Sequence, residues 1–215
     1  MLNKKVLYTG LDPTYCQAQG DIIHVPLIQI VPRSPFEPQI KTALANFSAY
    51  THVLITSKST VALLANYLPL FGQNMAQWAL KTTIAVGEVT ANHLRQIGIF
   101  PKIIAKEETA EGMTHELAQL DLKNSFCFWP HSAQARSVLS DFLAQQPNLT
   151  FTTCSLYETQ TRLPETLPDL HEFEEIIFTS PSTVRAFVEI FGKIPLAIRL
   201  TAIGPITQSY LKKFL

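Results

Sequence analysis

TSKSTV at residues 56–61 and TSPSTV at residues 179–184 are one six-residue phrase written twice with a single change. An apolar run precedes each copy, HVLI at 52–55 and EEIIF at 174–178, and an apolar helical stretch follows, ALLANYL at 62–68 and RAFVEIF at 185–191. A second echo lies downstream of each, AVGEVTANHL at 85–94 and AIGPITQSYL at 202–211. The phrase therefore sits where a strand ends and a helix opens, and it marks two related lobes. Two lobes with matching turns suit a ligand gripped from both sides.

Outward from the phrase, strand-like and helix-like segments alternate almost throughout. KVLYT (5–9) and DIIHV (21–25) read as strands, and PLIQIVPR (26–33) as extended chain bounded by prolines. Ser34-Pro35-Phe36-Glu37 reads as a helix start with Ser34 as N-cap and Glu37 closing a capping box, the helix running to about Phe47. Strands at 52–56, 82–86, 102–105 and 125–129 alternate with helices expected over 59–67, 89–97, 110–120 and 133–144. Trp129-Pro130-His131 reads as a strand end closed by proline, and 149–159 as one long extended segment. EEIIFT (174–179), a helix over 182–191, LTAI (200–203) and a terminal helix complete the chain. Such alternation implies an α/β protein with parallel sheets covered on both faces, here as Rossmann-like or flavodoxin-like lobes.

The second copy holds too few strands for a lobe, and the first two strands have no copy beside them. Residues 1–30 with 160–215 are therefore expected to form one discontinuous lobe, with 34–153 inserted as the other. The crossings, 26–33 and 154–160, are extended and suit a two-stranded hinge.

At 215 residues each lobe is large enough to bury a core without disulfides. The three cysteines, Cys16, Cys127 and Cys154, show no CxxC spacing, which fits reduced thiols and a cytoplasmic protein. No apolar run reaches the ~18 residues of a membrane span, and no signal segment is read at the N-terminus. With 17 basic and 17 acidic residues the net charge is zero, and no basic stripe points to nucleic acid. The six histidines lack metal-ligand spacing, and no GxSxG elbow, Walker loop or GxGxxG occurs. No metal and no cofactor are expected.

Ligands of parallel sheets bind beyond the carboxyl ends of strands, where helix N-termini point. Four turns answer that description: Thr56-Ser57, Gly87 to Thr90, Thr179-Ser180 and Gly204 to Thr207. Free backbone N–H groups there would hold carboxylate or phosphate without a lysine. Plain helix capping explains any one of these hydroxyls taken alone; their duplication is what favours a ligand. Tyr157 stands in the hinge segment and can either pack against the strands or direct its hydroxyl at the ligand.

Taken in order, VLITSKSTVALL, IAVGEVTANHLRQIG, LYET, IIFTSPSTVRAF and TAIGPITQSYL resemble the uroporphyrinogen-III synthase family over nearly the full length. The resemblance implies two α/β lobes, one discontinuous, joined by a two-stranded ladder. It implies a hydro-lyase that cyclises hydroxymethylbilane to uroporphyrinogen III, with inversion of ring D, without cofactor or metal. Tyr157 matches the family's tyrosine and is the implied assistant to departure of water. Thr90 and Thr207, with Gly87 and Gly204 of their turns, and Ser57 and Ser180 are the implied substrate-binding positions. Where the family often has Thr-Arg after the first strand, this chain has Thr9-Gly10, without the cation. A monomer is expected, with a transient contact to the preceding pathway enzyme left open, and no nucleic-acid or membrane partner. A non-catalytic two-lobed binding or sensor protein for a polycarboxylate metabolite is the alternative the architecture allows. A nucleotide-binding Rossmann enzyme, lacking the glycine fingerprint, ranks behind both.

Overall fold

The computed structural model describes residues 4–14 and 16–215. The chain divides into two compact units, residues 1–31 with 159–215 and residues 32–158. In chain order the elements are β1 (Lys5–Tyr8), β2 (Asp21–His24), β3 (Ile28–Pro32), α1 (Pro38–Ala45), β4 (His52–Ile55), α2 (Lys58–Tyr67), α3 (Met75–Ala79) and β5 (Thr82–Ala85). There follow α4 (Glu88–Gln96), β6 (Ile103–Ile104), α5 (Ala110–Leu117), β7 (Phe126–Ser132), α6 (Val138–Ala144) and β8 (Thr150–Thr161). The chain closes with β9 (Glu175–Phe178), α7 (Pro181–Phe191), β10 (Arg199–Ala202) and α8 (Pro205–Leu211).

In the discontinuous unit the strand order is β10-β9-β1-β2, with every pair parallel. Strand alternation sends Leu7, Ile176 and Phe178 to one face, where Val184 and Phe187 of α7 and Leu211 of α8 close the core. Val6, Tyr8 and Ile177 point to the other face, where Cys16, Ala18 and Ile22 pack against them. Helices therefore cover one face of this sheet, and the expected cover of the other is not helical. Among the described residues the link from β1 to β2 contains no helix, and that link is what covers the second face.

The second sheet runs β3-β8-β7-β4-β5-β6. Strands β4 to β8 are mutually parallel. Arg33 N–H donates to Leu156 O and Arg162 N–H to Leu27 O, so β3 numbers rise as β8 numbers fall, the antiparallel sense. One face packs Leu54, Ile84, Cys127 and Trp129 against Met113 and Leu117 of α5 and Leu139 and Leu143 of α6. On the other, Phe128 stacks on Tyr50 at 4.7 Å and meets Phe47, which meets Trp78. Lys81 is buried beside this aromatic group, donating to Tyr50 O at 2.6 Å with its charge 5.1 Å from the Phe47 ring centroid. Burial pushes its pKa down.

Three local expectations need correction. Helix α1 begins at Pro38, not near Ser34, and has no side-chain cap. A proline forces the residue before it out of the helical region, and Glu37 accordingly sits at ψ 136. Strand β7 runs through Pro130 to Ser132. Its pairing with β4 ends at Phe128, so the donor Pro130 lacks falls on the side where no ladder remains to be broken. Because the strand is longer, Ser132 turns the chain, with Ala135 N–H donating to Ser132 O, and α6 opens at Val138 instead of Ala133. Helix α3, with Asn74 and Gln77 forming a capping box, was not anticipated.

Candidate active site

In each sheet the topology reverses at one place. From β4 the chain moves outward through β5 and β6, whereas β7 and β8 lie on its other side. From β1 the chain moves to β2, whereas β9 and β10 lie on the opposite side. Such reversals open a crevice at the carboxyl ends of the two strands concerned. The crevice strands are β4 and β7 in one unit, β9 and β1 in the other. Both copies of the repeated phrase start there.

The two copies share their cap. Ser57 (φ −161, ψ 153) accepts from Thr60 N–H, and Ser180 (φ −161, ψ 162) accepts from Thr183 N–H. Thr60 and Thr183 are both wholly buried. Beyond this the wiring differs. Thr183 Oγ1 donates to Ser180 O at 2.7 Å and accepts from Thr179 N–H and Ser180 N–H, closing a self-contained box. Thr60 Oγ1 instead lies 2.9 Å from Ser57 Oγ, and Ser57 Oγ lies 2.8 Å from the Tyr157 hydroxyl.

A bulge places Tyr157. His131 stands opposite Ser155, but Ser132 stands opposite Tyr157, so Leu156 is an extra residue in β8. A bulge re-aims the side chains after it, and here two consecutive residues, Leu156 and Tyr157, are both buried. Only 5 % of Tyr157 is exposed, and its hydroxyl reaches past β7 to the cap of α2. Beside it on β7, Trp129 Nε1 donates to Thr56 Oγ1 at 3.4 Å, and the His131 ring lies 4.4 Å from that of Trp129. Burial lowers the His131 pKa against an opposing hydrogen bond to Ser132 O and so favours the neutral ring. Thr60, Trp129 and His131 were not named as site residues from sequence. Thr60 could have been, since Ser-x-x-Thr places a second hydroxyl over the cap.

The other turns are organised differently. Gly87 caps α4 without a side chain, and Glu88 N–H donates to the Glu108 carboxylate at 2.9 Å. A Cβ on Gly87 would stand 2.4 Å from Glu108 Cγ, so the missing side chain leaves room for that carboxylate. Gly204 opens α8 at φ 80, a left-handed conformation suited to glycine. Thr90 and Thr207, three residues after these glycines, are 5 % and 3 % exposed. The expectation that all four turns offer free N–H donors is corrected: Glu108, Ser57 and the Thr183–Ser180 pair already use several of them. After β1, Gly10 lies under Thr179, whose side chain would come within 2.6 Å of an added Cβ. No group of three His, Cys, Asp or Glu suited to a metal occurs among the described residues, and none of their helices is long and apolar enough to cross a membrane.

Comparison with known proteins identifies the family. The family described as uroporphyrinogen-III synthase HemD matches residues 11–214. The porphyrin biosynthesis protein HemD of Ruminiclostridium josui is 26% identical over 210 residues, covering 92% of this chain and 40% of that protein. The chain thus spans about two-fifths of the length of that relative. A crystal structure of a mutant uroporphyrinogen III synthase from the extremely thermophilic bacterium Thermus thermophilus aligns with TM-score 0.65 at 14% identity, over 98% of this chain and 89% of that one. The uroporphyrinogen-III synthetase of Helicobacter pylori aligns with TM-score 0.64 at 16% identity, over 98% and 88%. At such identities the structural likeness speaks for the fold.

Proposed function

Because the chain belongs to the uroporphyrinogen-III synthase HemD family, we propose that it closes hydroxymethylbilane to uroporphyrinogen III with loss of water, as a hydro-lyase of tetrapyrrole biosynthesis. The observation that supports the chemistry is the buried Tyr157 hydroxyl, held by the α2 cap at the carboxyl edge of parallel strands. The reaction begins when the C–O bond of the hydroxymethyl group breaks. Hydroxide is a poor leaving group in a desolvated site unless a donor supports it. The Tyr157 O–H gives its proton to the departing oxygen and water leaves; the proton lost from the pyrrole N–H restores the phenol, and a neutral azafulvene remains. The substituted α-carbon of ring D attacks that electrophilic carbon, and the spirocyclic intermediate fragments and recloses with the ring inverted.

The unassisted molecule closes to the uninverted isomer, so selectivity requires the enzyme to hold the chain folded, an orientation problem. Candidate contacts for the substrate's carboxylates are Ser180, Thr90, Thr207, Gly87 and Gly204. At Gly87 the substrate would share donors that Glu108 now uses. A cytoplasmic monomer taking its labile substrate from the preceding enzyme fits this chemistry.

Purified protein supplied with freshly generated hydroxymethylbilane, followed by separation of the ring isomers, tests the proposal. Isomer III in excess of isomer I is expected. Isomer I alone, at the spontaneous rate, would overturn it.

A further inference from the structure

The hydroxyls of Thr60, Ser57 and Tyr157 form a chain whose proton positions can be worked out. Ser57 Oγ has two lone pairs and one proton. Thr60 N–H donates to it at 3.1 Å and fills one lone pair. The wholly buried Thr60 hydroxyl lies 2.9 Å from the same oxygen. A buried hydroxyl proton left without an acceptor is costly, and among the described residues Ser57 Oγ is the acceptor within reach, so Thr60 fills the second lone pair. Ser57 can then no longer accept from Tyr157. Its own proton points along the 2.8 Å contact to the phenol oxygen. The Tyr157 proton is thereby turned away from Ser57 and left free to be donated.

We infer that Ser57 and Thr60 are positioning residues that fix Tyr157 as an outward proton donor, and that Ser57 acts through the phenol instead of holding a substrate carboxylate. The inference rests on the reading that Tyr157 assists departure of water. The matching phrase shows that the sequence does not force this wiring. There the Thr183 proton goes to Ser180 O, and among the described residues no phenol is joined to the cap. Hydrogen bonds in such a chain polarise one another, so donation from Ser57 also stabilises negative charge growing on the Tyr157 oxygen as its proton departs.

The test compares Ser57→Ala, Thr60→Val, Thr60→Ser and Tyr157→Phe by kcat and KM for isomer III. Asn74→Ala, which removes a cap of the same kind from α3, controls for capping loss. Ser57→Ala should lower kcat about tenfold with KM within about twofold, as expected for one link of a general-acid system. Thr60→Val should act in the same direction and Thr60→Ser restore activity, while Asn74→Ala leaves kcat unchanged. In the Tyr157→Phe background, Ser57→Ala should add no further loss. Multiplicative losses in the double variant, or wild-type kcat in both Ser57→Ala and Thr60→Val, would overturn the inference. Either result leaves the proposed function standing if isomer III is still made. A readout independent of turnover is the Tyr157 ring-carbon resonance at the hydroxyl in tyrosine-labelled protein. Thr60→Val should move it and Asn74→Ala should not; an unmoved resonance in Thr60→Val would refute the proton assignment even in protein that makes isomer I alone.

Discussion

TSKSTV and TSPSTV fold into the same serine-capped turn, yet one is joined to a tyrosine and the other, among the described residues, is closed on itself. The difference comes from the strand two places away. In the inserted unit β8 follows β7 in the sheet, and its bulge brings Tyr157 to the cap of α2. In the discontinuous unit β2 follows β1 in the same order, and its last residue, His24, is held by Gly10 O at 2.8 Å with its ring 5.7 Å from Tyr8. The second faces differ too. Where α5 and α6 cover one sheet, the other carries a cavity of about 580 Å³ whose lining includes Lys4, Gln17, Glu175, Arg199 and Thr201. A duplicated phrase conserves the local cap, and function is assigned by what the neighbouring strand delivers to it.

The largest stability effect is expected at the quieter turn. Gly10→Ala would place a Cβ within 2.6–2.7 Å of the Thr179 side chain and 3.0 Å of the Tyr8 ring. Overpacking of this kind costs about 1–3 kcal/mol, to be read from urea unfolding. An unchanged midpoint would show that the turn is looser than its twin.

A smaller effect separates the units by pH. Their repeated strands begin with different ionisable residues, His52 in β4 and Glu175 in β9. Burial, then the Lys102 charge, lowers the His52 pKa. Burial alone would raise that of Glu175, but hydrogen bonds from Lys4 and Thr201 and the charges of Lys4 and Arg199 together hold it below the usual value. Both folded values lie below the unfolded ones, so both residues favour folding above their unfolded pKa, and that contribution is lost as pH falls. The loss from His52 begins below about pH 6.5 and that from Glu175 below about pH 4. In stability–pH profiles, His52→Gln should flatten the upper limb and Glu175→Gln the lower. A single limb untouched by either change would contradict the assignment.

The smallest effect comes from making the phrases identical. Ser57 is already extended at ψ 153, the conformation a following proline favours, and position 58 opens its helix. Lys58→Pro should therefore change stability by less than about 0.5 kcal/mol and leave kcat within about twofold. A large loss of turnover would mean that the one-letter difference, not Tyr157, distinguishes the turns.

The fold class was legible because strand and helix periods alternate cleanly and because Ser-x-x-Thr caps a helix wherever it follows an apolar strand. Local starts were less legible. Pro35 and Pro38 both offer a helix opening, and only the backbone restriction on Glu37 decides between them. The helix-free face was not visible either, since periodicity records which residues a strand buries and not what covers them. At the candidate site, Ser57 and Tyr157 could be named from sequence. Their 2.8 Å contact could not, because it depends on a bulge that one extra residue, Leu156, puts into β8. The Glu108 carboxylate at Gly87 is a tertiary contact across 20 residues with no local signature.

The proposed departure of water depends on one hydroxyl, and Tyr157→Phe removes it while keeping the ring. Measured as isomer III formed from fresh hydroxymethylbilane, its turnover should fall roughly ten- to a hundredfold, with isomer I rising as unassisted closure competes. Wild-type turnover and an unchanged isomer ratio in Tyr157→Phe would contradict the account.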